Sequence, residues 1–150
     1  MTSIEESIEI NVPVSKAYNQ WTQFETFPKF MEGVERVEQK TDTRLHWVAE
    51  VGGERREWDA EITEQHPDHR VAWKALDNEG PSGVVTFHKL DDARTRVMVQ
   101  MEYQPGGLKE SVGSMVGLDS RRVKGDLESF KEFIEAAGSE TGAWRGEVEN

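Results

Sequence analysis

Residues 45–62, LHWVAEVGGERREWDAEI, decide the fold class. Apolar and polar residues alternate on both sides of Gly52 and Gly53, and a glycine pair between two alternating runs predicts a β-hairpin. One face of this hairpin is largely apolar and combines residues from both strands, namely Leu45, Trp47, Ala49, Val51, Arg56, Trp58, Ala60 and Ile62. The hairpin is therefore expected to belong to a sheet that buries one of its faces.

The two-residue period of this hairpin extends in both directions and covers residues 34–103. Four further turn signals interrupt it, at residues 41–42, 66–68, 77–81 and 91–92. This part of the chain therefore predicts six strands in a meander. Residues 4–12 alternate in the same way and predict one more strand, which Pro13 ends.

Helical patterns flank the predicted sheet. Ser15 is a candidate N-cap for a helix that carries Tyr18 and Trp21 on its apolar face, and Pro28 suits the start of a short second helix. Residues 108–136 have apolar side chains at helical spacing over about 28 positions, which makes a helix roughly 42 Å long. One long helix across a curved sheet covers the apolar face and leaves a space for a ligand.

The predicted architecture is an α+β helix-grip fold. Its curved seven-stranded antiparallel sheet has two short helices after strand 1 and a long C-terminal helix across the concave face. We expect this domain to cover residues 1–137. Residues 138–150 are polar and aperiodic, so they predict a flexible C-terminal tail in which Trp144 lies on the surface.

The residue composition excludes several kinds of metal and covalent chemistry. The 150 residues contain no cysteine, which excludes disulfides, thiolate metal sites and cysteine nucleophiles. His66 and His69 are spaced as helical metal ligands would be, but Pro67 lies between them in a turn signal. No metal site and no cofactor are therefore predicted.

The charge and hydropathy of the chain limit its partners. The 29 acidic and 18 basic residues give a net charge of −11, which makes nucleic acid an unfavourable partner. No run approaches the ~20 apolar residues that a membrane span requires. The first residues are too acidic for the apolar core of a signal peptide. We therefore expect a cytoplasmic protein, and the sequence is compatible with either a monomer or a homodimer.

Several short sequences occur in an order that resembles a known family. They include WDAEI at residues 58–62, VAW at 71–73, GVVTF at 83–87 and LESFK at 127–131. The ordered set resembles the polyketide cyclase/dehydrase group of the START-like (SRPBCC) superfamily, which includes the coenzyme-Q-binding family. The resemblance covers residues 4–136.

This resemblance implies a hydrophobic small molecule in the cavity, such as a lipid, a quinone or a polyketide-like compound. In the aromatase type, a serine and an arginine would fall at Ala60 and Ile62, and a tyrosine at Val34, so these positions are inert here. No catalytic residue is therefore assigned, and a carrier or chaperone for the ligand is the first hypothesis. A polyketide cyclase/dehydratase is the alternative, and a protein-interaction module with an acidic contact surface is a third.

The residues predicted to bind the ligand lie on the apolar faces of the predicted strands and helices. They are Tyr18, Phe30, Trp47, Arg56, Trp58, Ala60, Ile62, Trp73, Val85, Phe87, Val99, Met101, Tyr103, Leu108, Val112, Met115 and Asp119. Core packing and ligand stacking are both open for the tryptophans, and the two roles are compatible.

The polar residues near the predicted cavity have two interpretations each. Arg56 either takes a ligand carboxylate or carbonyl at the cavity mouth or pairs with surface carboxylates. Tyr18 and Tyr103 are either hydroxyl donors or core rings. Asp119 and Arg122 are either a surface ion pair or a polar anchor within the cavity. An enzyme would require Arg56, Tyr103 or Asp119 to point inward.

Overall fold

The computed structural model describes residues 2–31, 33–51, 54–76, 81–103, 120–137 and 140–148. Within these residues one antiparallel sheet contains β1 (Thr2–Ile10), β2 (Val34–Gln39), β3 (Arg44–Val51), β4 (Glu54–His66), β5 (Arg70–Ala75), β6 (Ser82–Asp91) and β7 (Arg94–Tyr103). The helix α1 (Val14–Trp21) and a 3₁₀ helix (Phe24–Lys29) follow β1, and the helix α2 (Ser120–Ala136) follows the sheet. This order confirms the predicted helix-grip architecture.

Strands β2 to β7 form a meander, and β1 adds to its edge beside β7. The strand order is β1-β7-β6-β5-β4-β3-β2, so each strand from β2 onward pairs with the next one in the chain, and β1 pairs with β7. Trp47 of β3 lies opposite Trp58 of β4, which confirms that the two residues share a face. A bulge between Ile62 and Glu64 interrupts the register of β4, and bulges of this kind bend a strand and curve its sheet.

Two boundaries near the start of the chain differ from the predicted ones. β1 spans residues 2–10 instead of 4–12, because the chain bends after it to enter α1. α1 begins at Val14 without a side-chain cap, so the predicted N-cap role of Ser15 is wrong. Pro13 occupies the N-cap position with a φ of −61°, and its carbonyl accepts the first helical hydrogen bonds.

The helix α2 has the apolar stripe that its sequence predicts. Its buried residues recur at helical spacing and are Val123, Leu127, Phe130 and Ile134. The stripe packs into the core formed by the concave face of the sheet, which confirms the position of the helix. The predicted first part of the helix, residues 108–119, lies outside the described residues.

A chain of aromatic rings joins the helices to the sheet. Phe130 of α2 packs against Trp21 of α1 and against Phe30, with ring centroids 5.2 and 5.1 Å apart. Phe27 of the 3₁₀ helix lies between Trp21 and Trp47 of β3, at 5.2 and 5.7 Å. Tilted and edge-to-face ring pairs of this kind favour one relative orientation. The rings therefore fix the helices over the concave face.

The described part of the C-terminal segment, residues 140–148, makes hydrogen bonds with the rest of the domain. The Thr141 amide donates to Gln20 Oε1 at 2.8 Å, and Gln20 Nε2 donates to the Thr141 hydroxyl at 3.0 Å. Gln65 and Val148 exchange backbone hydrogen bonds of 2.8 and 2.9 Å. Trp144 is half-buried. A polar, aperiodic sequence does not reveal these contacts because every partner lies far away along the chain.

His46 lies between two carboxylates on the outer face of the sheet. Its Nδ1 is 2.8 Å from Asp59 Oδ1, and its Nε2 is 3.0 Å from Glu57 Oε1. The hydrogen bonds with Asp59 and then Glu57 raise the pKa of His46 above its usual value of 6.5, because only the imidazolium donates from both nitrogens. The folded state therefore favours the protonated histidine.

We expect this arrangement to make stability depend on pH. The raised pKa of His46 means that its stabilising effect is complete below about pH 6.5 and is lost as the pH rises through the folded-state pKa. The free energy of unfolding, measured by urea denaturation from pH 5.5 to 8.5, should fall more steeply in the wild type than in a His46→Gln variant. Equal slopes in the wild type and the His46→Gln variant would refute the assignment.

Candidate functional site

An apolar cavity lies between the concave face of the sheet, the 3₁₀ helix and α2. Its volume is about 130 Å³, and it is partly open to solvent. The sheet contributes Val34, Leu45, Trp47, Ala49, Trp58, Ile62, Val71, Trp73, Val99 and Met101 to its wall. The helices and loops contribute Trp21, Phe24, Phe27, Met31, Pro81, Arg122, Val123, Asp126 and Leu127. The described wall therefore consists mainly of aliphatic and aromatic groups.

Three tryptophans from neighbouring strands form the aromatic part of the wall that the sheet contributes. Trp47 and Trp58 are cross-strand partners whose rings are stacked, with centroids 5.9 Å apart and planes 4° apart. Trp73 lies on β5 opposite Ile62, and its indole Nε1 donates to the Pro81 carbonyl at 3.2 Å. The Trp47 Nε1 is buried and has no hydrogen-bond partner among the described residues. The indole donors of Trp73 and Trp47 therefore differ, since the first has a hydrogen-bond acceptor and the second has none among the described residues.

Two ionisable side chains, Arg122 and Asp126, belong to the described wall of the cavity. They lie one turn apart on α2, with Arg122 Nε 4.0 Å from Asp126 Oδ2, and each side chain is 20% exposed. Arg122 Nη2 also donates to the Glu50 carbonyl at 3.5 Å. A Cβ atom on Gly33 would overlap this guanidinium, so the glycine provides the space in which Arg122 lies. Arg122 is therefore a wall residue with defined contacts.

The predicted ligand-binding residues occupy three different positions. Those in the cavity wall are Trp47, Trp58, Ile62, Trp73, Val99 and Met101. Those in the adjoining core, outside the wall, are Tyr18, Phe30, Ala60, Val85 and Phe87, and Arg56 is half-buried on β4 outside the wall. The side chain of Tyr103 and all of Leu108, Val112, Met115 and Asp119 lie outside the described residues.

The helix α1 explains why part of the concave face does not reach the cavity. Tyr18 packs edge-on against Phe87 with ring centroids 5.4 Å apart, and Trp21 approaches the same ring at 6.3 Å. Burial raises the pKa of Tyr18, and the neighbouring Gln65 side chain and the Arg145 guanidinium only partly oppose that rise. The Tyr18 hydroxyl therefore stays protonated and belongs to the core under α1.

The 3₁₀ helix contributes wall residues that were not among the predicted ones. Phe24 and Phe27 of this helix and Met31 just after it line the cavity, and Phe27 packs against Trp47 of the sheet with ring centroids 5.7 Å apart. Their sequence does carry a signal, because aromatic residues recur three apart through this segment, at the spacing that aligns side chains on a 3₁₀ helix. That spacing predicts a buried face, but the position of the face depends on tertiary packing.

The residues of the described wall are better suited to bind a ligand than to transfer protons. Apart from the Arg122–Asp126 pair, the wall residues carry no titratable side chain, and general acid–base catalysis requires such groups within reach of the substrate. Among the described residues no three His, Cys, Asp or Glu side chains come together as metal ligands would. The arrangement suits retention of an apolar group beside one polar pair.

A curved antiparallel sheet that encloses an apolar cavity with a C-terminal helix defines the START-like class of helix-grip proteins. The chain belongs to one family of this class, described as polyketide cyclase/dehydrase and lipid transport, whose model matches residues 10–132. An uncharacterised 17.2 kDa protein of Streptomyces lincolnensis, encoded in the melC2–rnhH intergenic region, is 60% identical over 99% of both chains. The suspected family is thereby confirmed.

Solved structures support the same class. A Deinococcus radiodurans protein has a TM-score of 0.70 and 26% identity over 91% of this chain and 99% of its own. The Zhui aromatase/cyclase from Streptomyces sp. R1128 has a TM-score of 0.72 and 17% identity over 92% and 98% of the two chains. A START superfamily protein from Mycobacterium smegmatis has a TM-score of 0.71 and 10% identity over 90% and 98%. The last two share the fold alone.

Family membership suggests either hydrophobic-ligand binding or a cyclase role. The helices in the described residues are too short or too polar to span a membrane.

Proposed function

We propose that the protein binds a small hydrophobic molecule in this cavity and acts as its carrier or chaperone. The observation that carries the proposal is the composition of the cavity wall, in which four tryptophans, two phenylalanines and several aliphatic residues surround a space that no described side chain fills. When an apolar ligand enters such a cavity, its apolar surface is removed from water, and this lowers the free energy of the complex. The fold thus maintains a cavity that a hydrophobic guest stabilises.

The size of the cavity indicates which part of a ligand it holds. A cavity of about 150 Å³ lined by aliphatic and aromatic residues is large enough to bind benzene, and this cavity measures about 130 Å³. It therefore accommodates a ring-sized group. The opening to solvent allows the rest of a lipid, quinone or polyketide-like molecule to extend outward. Trp47, Trp58, Ile62, Trp73, Val99 and Met101 would then contact the ligand directly.

A polyketide cyclase/dehydratase is the second candidate, and the Arg122–Asp126 pair is the observation that favours it. An arginine can polarise a carbonyl and a carboxylate can accept a proton from carbon. Against it, two positions where the aromatase type would carry polar groups, Val34 and Ile62, present hydrocarbon to the cavity, and Ala60 is buried beside Trp58. A carrier returns its ligand unchanged, whereas a cyclase releases a product that mass spectrometry detects.

Three further properties remain predictions from the sequence. We expect the protein to be cytoplasmic, to be either a monomer or a homodimer, and not to bind nucleic acid.

Filling the cavity is expected to abolish binding without unfolding the protein. Ala49 is buried and lines the cavity, so an Ala49→Phe variant would place a ring where the ligand's ring would lie. We expect its affinity for ethylbenzene, measured by chemical-shift titration, to fall about tenfold or more. An Ala49→Leu variant fills less space and should show an intermediate loss.

The matched control is Ala72→Phe. Ala72 neighbours Val71 and Trp73 on β5, and its side chain points to the opposite face of the sheet. This variant should bind ethylbenzene as the wild type does, and thermal unfolding verifies that all variants are folded. The proposal fails if wild-type protein shows no saturable binding, or if folded Ala49→Phe protein binds as tightly as Ala72→Phe protein.

A further inference from the structure

The C-terminal segment, residues 140–148, is hydrogen-bonded to the last turn of α1 and to the turn between β4 and β5. Asn19 Nδ2 donates to Glu140 Oε2 at 2.9 Å, and the Arg145 guanidinium donates to Asn19 Oδ1 at 2.6 Å. Arg145 also donates to Asp68 Oδ2 at 2.8 Å. The segment therefore joins the end of α1 to the β4–β5 turn.

Further hydrogen bonds reach the junction between α1 and the 3₁₀ helix. The fully buried Gln20 exchanges hydrogen bonds of 2.8 and 3.0 Å with Thr141, and its Nε2 also donates to the Thr26 hydroxyl of the 3₁₀ helix at 3.2 Å. The Trp144 amide donates to the Thr22 hydroxyl at 3.0 Å, just after α1 ends. The segment therefore holds the backbone where α1 passes into the 3₁₀ helix.

The same junction supplies aromatic groups to the cavity wall. Trp21 and Phe24 line the cavity, and they lie on either side of Thr22 in the chain. Phe27 follows on the 3₁₀ helix and also lines the cavity. The backbone that carries these rings is thus the backbone that the C-terminal segment contacts. A shift of this backbone would change the shape of the cavity.

The C-terminal segment is attached mainly by polar contacts, which favours local opening. Val148 packs against the hydrophobic core. Most of the other residues in the segment are exposed, namely Thr141, Ala143, Arg145, Gly146 and Glu147. Water can replace hydrogen bonds at a surface at little net cost, and regions with few buried apolar contacts open without global unfolding. We therefore expect the segment to detach and reattach while the sheet stays folded.

We propose that attachment of the C-terminal segment to α1 is coupled to ligand binding in the cavity. This coupling rests on the binding function proposed above and concerns its regulation. With the segment attached, Trp21 and Phe24 are held in the positions that enclose a ligand. With the segment detached, the junction can shift and the cavity binds its ligand less tightly. Because coupling between two sites is reciprocal, a bound ligand also strengthens the attachment of the segment.

Amide hydrogen exchange of the ligand-free protein tests the link between the segment and the junction. The Arg145→Gln variant loses the contacts with Asn19 and Asp68. Exchange of the Val148 amide should therefore become about threefold or more faster, because the segment opens more often. The Thr22 amide, which is hydrogen-bonded within the last turn of α1, should accelerate by a similar factor.

The matched control is Arg96→Gln. Arg96 pairs with Glu9 Oε1 at 3.0 Å and is 44% exposed, compared with 41% for Arg145, but it lies on β7 outside the segment. Exchange at Val148 and Thr22 should match the wild type in this variant. If Thr22 does not accelerate in Arg145→Gln, or accelerates equally in Arg96→Gln, the segment does not control the junction and the coupling is refuted.

Saturation with ethylbenzene tests the coupling to binding. In the wild type the ligand should slow exchange of the Trp144 and Val148 amides about threefold or more, although neither residue lines the described cavity. The Ala93 amide, which donates to Asp91 Oδ1 in the turn after β6, should exchange at an unchanged rate. Unchanged exchange at Trp144 and Val148 with ethylbenzene bound would refute the coupling and leave the binding function intact. If ethylbenzene does not bind at all, the proposed function is itself refuted, and the coupling with it.

Discussion

Replacement of Phe130 by alanine is expected to lower the free energy of unfolding by about 3–5 kcal/mol. Phe130 is fully buried, and its ring contacts Trp21 and Phe30 with centroids 5.2 and 5.1 Å apart. Its removal leaves a void where α1, α2 and the segment after the 3₁₀ helix meet, and none of these can move inward without loss of its own contacts. Urea denaturation followed by circular dichroism measures the change.

Phe133 on the same helix provides the matched control. It also packs against Phe30, at 5.4 Å between centroids, but it is only half-buried. The Phe133→Ala variant removes the same atoms, but water can fill the space that they leave. Its free energy of unfolding should therefore fall by a clearly smaller amount, about 1–2 kcal/mol. Equal losses in the two variants would contradict the view that Phe130 is the central contact of α2.

A Gly83→Ala variant is expected to lose about 1–3 kcal/mol of stability through overpacking. Gly83 lies on β6 opposite Met101, and a Cβ atom there would overlap the Gln100 carbonyl and crowd the Met101 backbone. Backbone atoms in a paired strand cannot move aside as the end of a flexible side chain can. The strands would have to separate locally, and urea denaturation should report the cost.

Gly125 provides the opposite case with the same chemical change. It lies within α2, and a Cβ atom there would meet nothing within 4 Å. Gly125→Ala should therefore raise stability by about 0.4–1 kcal/mol, because alanine has less conformational freedom to lose in a helix. If both alanine variants change stability in the same direction, the local contacts described for Gly83 do not control the outcome.

The fold was largely predictable from the sequence because its signals are local. The alternation around the Gly52–Gly53 pair gives the β3–β4 hairpin, and the register that pairs Trp47 with Trp58 follows from it. The helical spacing of Val123, Leu127 and their successors gives the buried stripe of α2. Each of these signals lies within one element or one hairpin, so pattern alone is sufficient.

The cavity wall was predictable only in part because it depends on how the elements dock. The tryptophans follow from the face of the sheet on which they lie. Phe87 is on the same face, but it ends in the core because Tyr18 and Trp21 of α1 pack against its ring. Asp126 lies at the edge of the apolar stripe of α2. The helical spacing of the sequence does not tell whether a side chain at this edge faces the cavity or the solvent. The contacts of residues 140–148 have no periodic signal at all.

The pairing of the first strand with the last one governs how the chain reaches its native state during synthesis. Residues 2–10 leave the ribosome early, but their partner strand spans residues 94–103. At 5–20 residues per second, the partner is complete roughly 5–20 s after β1 has been made. Local hairpins form in microseconds, so β2 to β6 can pair while β1 waits with Ile4, Ile8 and Ile10 exposed. The apolar face of β1 therefore stays exposed in the nascent chain until β7 has been made.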